Sequence, residues 1–272
     1  MHKEKWRLIV DHPRRGSMNM AVDYAILNSL SDGESLPTIR FYKWDNPTIT
    51  IGYSQDLMKV IHIDQCELDG IDFIRRITGG GTIFHQYEIT YSIMVPLDSN
   101  ITRGTIVDSY RKICLPIVKA LRKNSIEAEY FPDNNIIVKG KKISGSSQIR
   151  RNGVLLQHGT ILLDIESDRM FRYLRIEKDN NIDKKNKKSP LQVSSLMYFL
   201  GKVVLTEEFQ SKLIQSIWGS MQSEFLIDLE EGALSEIEIE MSMFFDEKIF
   251  GNPQWNKNRQ MDKVLFKNTK NY

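Results

Sequence analysis

Arg75-Arg76-Ile77-Thr78-Gly79-Gly80-Gly81-Thr82-Ile83-Phe84-His85 stands between two β-prone runs. Before it, Ile71-Asp72-Phe73-Ile74 reads as a buried strand, and Thr82 to His85 opens the next. Three glycines in a row cost conformational entropy, so the loop is expected where the backbone takes positive φ or lets another group come close. Successive amides beside guanidinium forks make a phosphate or carboxylate site. The same residues also make a wide hairpin with two arginines facing water. Taken alone, the stretch leaves both readings open.

Around this loop the expected strands crowd together. Trp6 to Asp11 is one, and Ser17 is placed to cap a helix with Met18, Val22, Ala25, Ile26 and Leu30 on one face. Thr38 to Trp44 and Thr48 to Tyr53 read as a strand pair turning at Asn46-Pro47. Gln55 to Asp69 is helix-like, and Ile89 to Leu97 is a strand. Thr105 to Asn124 has helical periodicity, with Pro116 expected to kink or restart it. Glu127 to Phe131, Asn135 to Val138, Lys141 to Gly145 and Gln148 to Arg151 follow as short strands. Asn152-Gly153 is a type I′ hairpin signal leading into Val154 to Leu163. Short links and few helices predict an α+β fold with a mostly antiparallel or mixed central sheet flanked by helices.

The character changes after Asp164. Ser167 to Leu174 reads as a short helix, and Glu177 to Ser189, with Lys184 to Lys188 inside it, as an exposed, mobile loop. Ser194 to Leu200, Thr206 to Met221 and a last segment, Leu234 to Phe245, are expected helices, and Trp255 to Tyr272 a polar, basic tail. With no repeat or Pro/Ser-rich linker, residues 1–200 are expected to form the main domain. Residues 201–272 are then its C-terminal helical part, too short for a full accessory domain.

Lys plus Arg is 37 and Asp plus Glu is 35 over 272 residues, so the net charge of +2 argues against nucleic-acid or membrane binding. No signal-like apolar segment follows Met1, and no run is long enough to span a bilayer. Cys66 and Cys114 are isolated and sit in helical patterns away from the motifs. A cytoplasmic protein with free thiols is expected.

Three further segments carry chemistry-bearing residues. In Lys139-Gly140-Lys141-Lys142-Ile143-Ser144-Gly145-Ser146-Ser147-Gln148, alternation sends Lys141 and Lys142 to opposite faces. An inward ammonium would be expensive unless an anion met it, whereas two exposed lysines would simply mark an edge strand. Gln157-His158-Gly159-Thr160 interrupts an apolar strand, as a site or a bulge would. Asp133-Asn134-Asn135 fits an Asx turn or a polar pocket wall. The five histidines show no metal-ligand spacing, and neither a Walker A sequence nor a GxSxG elbow occurs.

Asn19 to Ala25, Pro47 to Gln55, Arg75 to His85, Lys141 to Ser147 and Gln157 to Leu163 together resemble the lipoate–protein ligase and octanoyltransferase family, in that order along the chain. The resemblance implies a biotin/lipoate protein ligase-like catalytic domain. It implies that lipoate is activated with ATP and Mg2+ to lipoyl-adenylate, then passed to a lysine of a lipoyl domain. The acceptor would belong to a 2-oxoacid dehydrogenase or the glycine-cleavage H protein. By the same resemblance Lys142 is the catalytic lysine. Arg76, Gly79, Gly80, Gly81, Thr82, Ile83 and Phe84 would contact the nucleotide. Arg75, His85, Asn135, Gly145, Ser146, Ser147, His158, Gly159 and Thr160 would line the substrate pocket around lipoate or octanoate. Lys184 to Lys188 would lie in a segment that closes on substrate.

One departure changes the expected chemistry. Octanoyltransferases of this family carry the acyl group on a cysteine. Glu127 to Asn135, where the long-chain branch places it, has none, and none follows Lys142. Without a thiolate that covalent route is closed. The expectation is therefore an ATP-dependent ligase that either needs a separate accessory subunit for adenylation or does only part of the cycle. An ATP-independent octanoyl or lipoyl transferase is the alternative, ahead of a non-catalytic lipoyl-binding module.

Overall fold

A computed structural model describes residues 3–175 and 192–260. The expectations for Glu177 to Ser189 and for the tail beyond Gln260 lie outside them. The central strands are β6 (Glu88–Pro96) and β10 (Val154–Leu162), buried at nearly every position. Burial on both faces explains why these strands read as continuous apolar runs. Around them lie β1 (Lys5–Val10), β2 (Thr38–Tyr42), β7 (Ala128–Phe131), β8 (Asn135–Val138), β9 (Lys141–Arg151) and β11 (Asp228–Glu231). Among the described residues they make one eight-stranded sheet in the order β11-β1-β2-β6-β10-β9-β8-β7. Its pairs from β2 onward are antiparallel, and β11, β1 and β2 run parallel. Asn152 and Gly153 take positive φ, 50° and 76°, as a type I′ turn requires, and β9 returns directly into β10.

A second, three-stranded sheet carries the glycine loop: β4 (Asp72–Arg75), β3 (Thr48–Ile51) and β5 (Ile83–His85), in that order. Thr38 to Trp44 and Thr48 to Tyr53 therefore do not pair, contrary to expectation. The Asn46-Pro47 turn hands the chain from one sheet to the other. Local turn chemistry says where a strand ends, not which strand it will join.

Helix α1 (Gly16–Ser31) lies on one face of the large sheet. Behind the small sheet come α2 (Leu57–Val60), α3 (Ile63–Leu68) and α5 (Ser167–Tyr173). The opposite face of the large sheet is covered by α4 (Ile106–Lys123), α6 (Leu196–Leu200) and α7 (Glu207–Phe225). On α1 pack α8 (Glu236–Phe245) and one π-helical turn at Asp246–Phe250, and α9 (Pro253–Asn258) follows against β4. Ile113, Ile117 and Leu121 of α4 and Leu213 and Ile217 of α7 meet Ile93 and Leu155 in one core. Each such side chain contributes roughly 1.5–3 kcal/mol on burial.

Several expectations need correction. Helix α1 opens at Gly16, and its N-cap is an extended Arg15 with no side-chain bond, not Ser17. Gln55 to Asp69 is broken into two short helices at Ile61-His62. Pro116 does not interrupt α4, which a Thr105–Asp108 capping box starts and the α7 contact holds. Lys141 to Arg151 is a single strand. The region after residue 200 is not wholly helical, because β11 extends the large sheet beside β1. Trp255 belongs to no polar tail, since it is 1% exposed. No helix among the described residues is long and apolar enough to cross a membrane.

Gly16 joins the layers. A Cβ there would lie 2.6 Å from both Ile74 Cδ1 and Thr48 Cγ2 of the small sheet. Gly16→Ala should force that sheet away from α1 and cost about 1–3 kcal/mol. A urea midpoint equal to that of the parent chain would refute this account of the contact.

Candidate functional site

The chain leaves β4 at Arg75 and turns through residues 76–82 before β5. Gly80 has φ +96°, and a Cβ on it would sit 2.7 Å from Ser147 Oγ of β9. A Cβ on Gly52 would be 2.1 Å from the Gly80 carbonyl oxygen. The glycines thus serve close backbone approach, with the small sheet's loop resting on β9. Among the described residues no protein acceptor takes the amides of Gly79, Gly80 or Gly81.

The two arginines act differently from expectation. Arg76 is buried, and it donates to Thr50 Oγ1 (2.7 Å), Gly79 O (3.0 Å) and Gly81 O (2.9 Å). Burial lowers its pKa to about 10. Its donors shape the loop, which leaves the glycine amides as the groups offered to an anion. Arg75 does not face the cleft. Its guanidinium reaches backbone carbonyls of residues 52–55 and of α9 instead.

Behind the loop runs a buried polar chain. His85 meets Thr50 Oγ1 through Nε2 (2.7 Å) and Glu88 Oε1 through Nδ1 (2.6 Å), and its ring stacks on Trp44 with centroids 4.0 Å apart. Trp44 Nε1 and Thr90 Oγ1 donate to the same Glu88 oxygen. His158 Nε2 lies 2.7 Å from Thr78 Oγ1, while its Nδ1 is 3.6 Å from Asp23 Oδ2, beyond hydrogen-bond reach. Burial holds the His158 pKa below its ordinary value despite Asp23. Asp23 in turn accepts from Arg40 Nη1 (2.8 Å), Ser92 Oγ (2.8 Å) and Tyr42 OH (3.1 Å).

Lys142 differs from all of these. It sits at a bulge where β9 shifts register against β8, and residues 192–194 pair with its backbone. Its Nζ finds no hydrogen-bond acceptor or carboxylate among the described residues, and burial lowers its pKa. A Cβ on Gly145 would lie 2.8 Å from both Lys142 Cε and Nζ, so the side chain occupies the trough that Gly145 leaves open. Lys141, by contrast, faces outward to Gln192 and Tyr198.

Two cavities meet at this lysine, sharing Thr82, Ile83, Lys142, Gly145 and Thr160. The first, of about 140 Å³, has Met20, Tyr42 and Trp44 in its apolar wall. The second, of about 160 Å³, is walled by Phe84, Tyr87, Leu162, Met170 and Leu174. The first cleft gathers Arg76, Gly80, Gly81, Thr82, Ile83, His85, Lys142, Gly145, Ser146, Ser147, His158, Gly159 and Thr160. Phe84 turns to the second cavity. Gly79 supports Arg76 through its carbonyl, Arg75 is elsewhere, and Asn134 lines the cleft in place of Asn135.

Sequence reasoning passed over Met20, Tyr42, Trp44 and Thr90, whereas Asn134 lay in the Asp133-Asn134-Asn135 stretch read as an Asx turn or a polar pocket wall. Met20 lies inside a recognised motif, but Trp44 and Tyr42 read as ordinary strand residues. Cys114 is closer to the motifs than expected, with Sγ 3.8 Å from Ser146 Oγ. It is 1% exposed, and burial pushes its thiol up to about 11. Cys66 is pushed to about 11 as well. No three His, Cys, Asp or Glu side chains among the described residues converge to hold a metal ion. Free amides and an unpaired amine do fit a carboxylate, phosphate or oxyanion.

The fold of this chain is that of lipoate–protein ligases. A bi-partite lipoate protein ligase from Thermoplasma acidophilum matches with TM-score 0.79 at 24% identity, over 97% of this chain and 100% of that one. Lipoate-protein ligase A bound with ATP matches with TM-score 0.78 at 23% identity, over 96% and 100%. These likenesses concern the fold. The chain belongs to the lipoyl protein ligase A/B catalytic domain family, whose model matches residues 15–218. Octanoyltransferase LipM of Clostridioides difficile is 30% identical over 94% of the chain and 99% of the relative. Octanoyltransferase LipM of Kyrpidia tusciae is 33% identical over 93% and 98%.

Lys142→Met tests the cost of the unpaired amine. The folded-state pKa lies below the ordinary 10.5, so the unfolded chain binds more protons between the two values and stability rises with pH there. The full cost is present below the folded pKa. The variant should therefore melt higher at neutral pH, by about 2–4 °C for each kcal/mol relieved, with the gap closing as pH passes 10.5. An equal or lower melting point at neutral pH would contradict this. Gly145→Ala should displace the amine and leave the fold intact. Full acyl-transfer activity in that variant would show that the trough does not position Lys142.

Proposed function

We propose that the chain transfers an octanoyl group from a thioester donor to the lysine amine of a lipoyl domain. The observation that carries this reading is the unpaired Lys142 amine between free glycine amides and an apolar cavity. Full-length relatives named octanoyltransferases support the acyl group. Burying the chain in the cavity would contribute about 0.8 kcal/mol per methylene.

The acceptor amine attacks the thioester carbonyl carbon, and negative charge develops on its oxygen. Preorganised donors aimed at that oxygen lower the barrier more than donors that must first turn. The amides of the glycine loop and the Lys142 ammonium are such donors. As the C–S bond breaks, the attacking nitrogen loses a proton and the leaving sulfur gains one. Burial eases proton release from Lys142, which suits it to deliver that proton and be recharged by the attacking amine.

On this reading transfer is direct. Neither cysteine has the depressed pKa and access that a thioester nucleophile needs. That observation also favours a second reading, in which octanoate or lipoate is activated with ATP and no thiol is required. The lipoate ligase fold supports it, with an accessory subunit as a further requirement.

Incubation with octanoyl carrier protein and a lipoyl domain without ATP, and separately with octanoate or lipoate plus Mg-ATP, distinguishes the two by the mass shift of the acceptor. We expect ATP-free transfer, sequential kinetics, and retained activity in a Cys66→Ala, Cys114→Ala double variant. Product only with ATP would establish the second reading. Ping-pong kinetics lost in the double variant would overturn direct transfer, and binding without turnover in either assay would leave a non-catalytic module.

A further inference from the structure

Arg75 has lost the anion-binding role its position suggested, yet it is the most heavily engaged arginine near the loop. Its backbone amide donates to Asn256 Oδ1 (2.8 Å), and its carbonyl accepts from Trp255 Nε1 (2.9 Å). One side of its guanidinium donates to the carbonyls of Trp255 (3.2 Å) and Asn256 (3.0 Å), near the C-terminal end of α9. A cation there is favourable at a helix C-terminus, adding to the Arg259 amide on Trp255 O and giving Asn256 O a donor. The other side donates to Tyr53 O (2.9 Å) and Gln55 O (2.7 Å). Gln55 Oε1 then accepts from Thr82 Oγ1 (3.1 Å), at the end of the glycine loop. Asn256 is itself fixed by Nδ2 donation to Phe250 O (2.8 Å).

We infer that Arg75, Trp255 and Asn256 are positioning residues. They latch the C-terminal helix under the base of the glycine loop and so fix the loop amides beside Lys142. The family match ends at residue 218, so this latch comes from a part of the chain beyond the matched domain. Nothing in the latch touches the cleft. It acts through the 52–55 turn, whose Gly52 is in backbone contact with Gly80. The catalytic consequence rests on the acyl-transfer reading above, whereas the mechanical one does not.

Trp255→Phe keeps a packed ring and removes the donor to Arg75 O, and Asn256→Ala removes the acceptor for Arg75 N. Both full-length variants should show amide hydrogen exchange in residues 76–82 at least tenfold faster than the parent, with β6 and β10 unchanged. Acyl-transfer kcat should fall about tenfold or more while KM for the acyl donor stays within a factor of two. Asn256→Asp keeps the acceptor for Arg75 N but loses the donor to Phe250 O, so it should restore loop protection and kcat only in part relative to Asn256→Ala. Unchanged exchange in residues 76–82 in both Trp255→Phe and Asn256→Ala would overturn the latch, whatever the activity. Faster exchange with unchanged kcat would overturn its catalytic consequence. Faster exchange across the whole chain would make these residues structural only and would equally overturn the inference. Should the parent chain transfer no acyl group from either donor, the acyl-transfer reading fails, and the exchange experiment still decides the latch.

Discussion

The glycine loop reaches β9 because Gly80 and Gly52 offer bare backbone where the two sheets converge. A Cβ on Gly80 would stand 2.7 Å from Ser147 Oγ and press the loop off β9, and one on Gly52 would stand 2.1 Å from the Gly80 carbonyl and displace the loop within its own sheet. The contact has two effects. It closes one side of the first cavity, and it holds the loop amides on the side where Lys142 emerges from its bulge. The glycines are thus required by contact between layers, and their open amides are a consequence of it. Arg76 then stiffens the loop from inside with bonds to the carbonyls of Gly79 and Gly81.

Several charges buried near the site are paired, whereas Arg76 is buried among hydroxyl and carbonyl acceptors without a carboxylate. Arg40 is fully buried against Asp11 and Asp23, and its guanidinium lies 4.1 Å from the centre of the Tyr42 ring. His85 has Glu88 beside it. Removing one partner of a buried pair generally costs about 3–5 kcal/mol, because the other charge is stranded. These pairs therefore lock Tyr42, Trp44 and His158 around the first cavity. Among the described residues the Lys142 amine has neither a carboxylate nor a hydrogen-bond acceptor. A cation held so at the junction of two cavities is a local instability that an anion would relieve.

Much of this was readable before any coordinates. Hairpin-length links between β-prone runs gave the mixed sheet, and Asn152-Gly153 gave its turn. The local inconsistencies at Gly80-Gly81, Lys142 and His158-Gly159 marked residues that do come together at one cleft. The failures share a physical cause. Which sheet Thr48–Ile51 would join, that Arg75 would turn to α9, and that Trp255 would be buried all depend on contacts across long sequence separations. A guanidinium next to a glycine loop reads as an anion ligand whether its partners are phosphate oxygens or backbone carbonyls. Only the placement of α9, 180 residues away, separates the two.

The cysteines show how placement qualifies a sequence argument. The absence of a cysteine from the expected segment removes one covalent route, but it does not by itself select ATP. A direct transfer needs the acyl donor and the amine present together, and the structure gives Lys142 two cavities, one on each side. Cys114 lies under Ser146, close enough to invite a nucleophilic role. Yet burial raises its pKa and nothing cationic sits beside it to lower it again. A thiol becomes a useful nucleophile through a neighbouring base or positive charge and a path to the substrate. Lys142 Nζ lies against Gly145 in its own trough, and Cys114 instead fills the core beneath Ser146 and Gln157. A fixed cation beside a glycine loop suits a carbonyl or phosphate oxygen on which negative charge gathers, by whichever route the acyl group is activated.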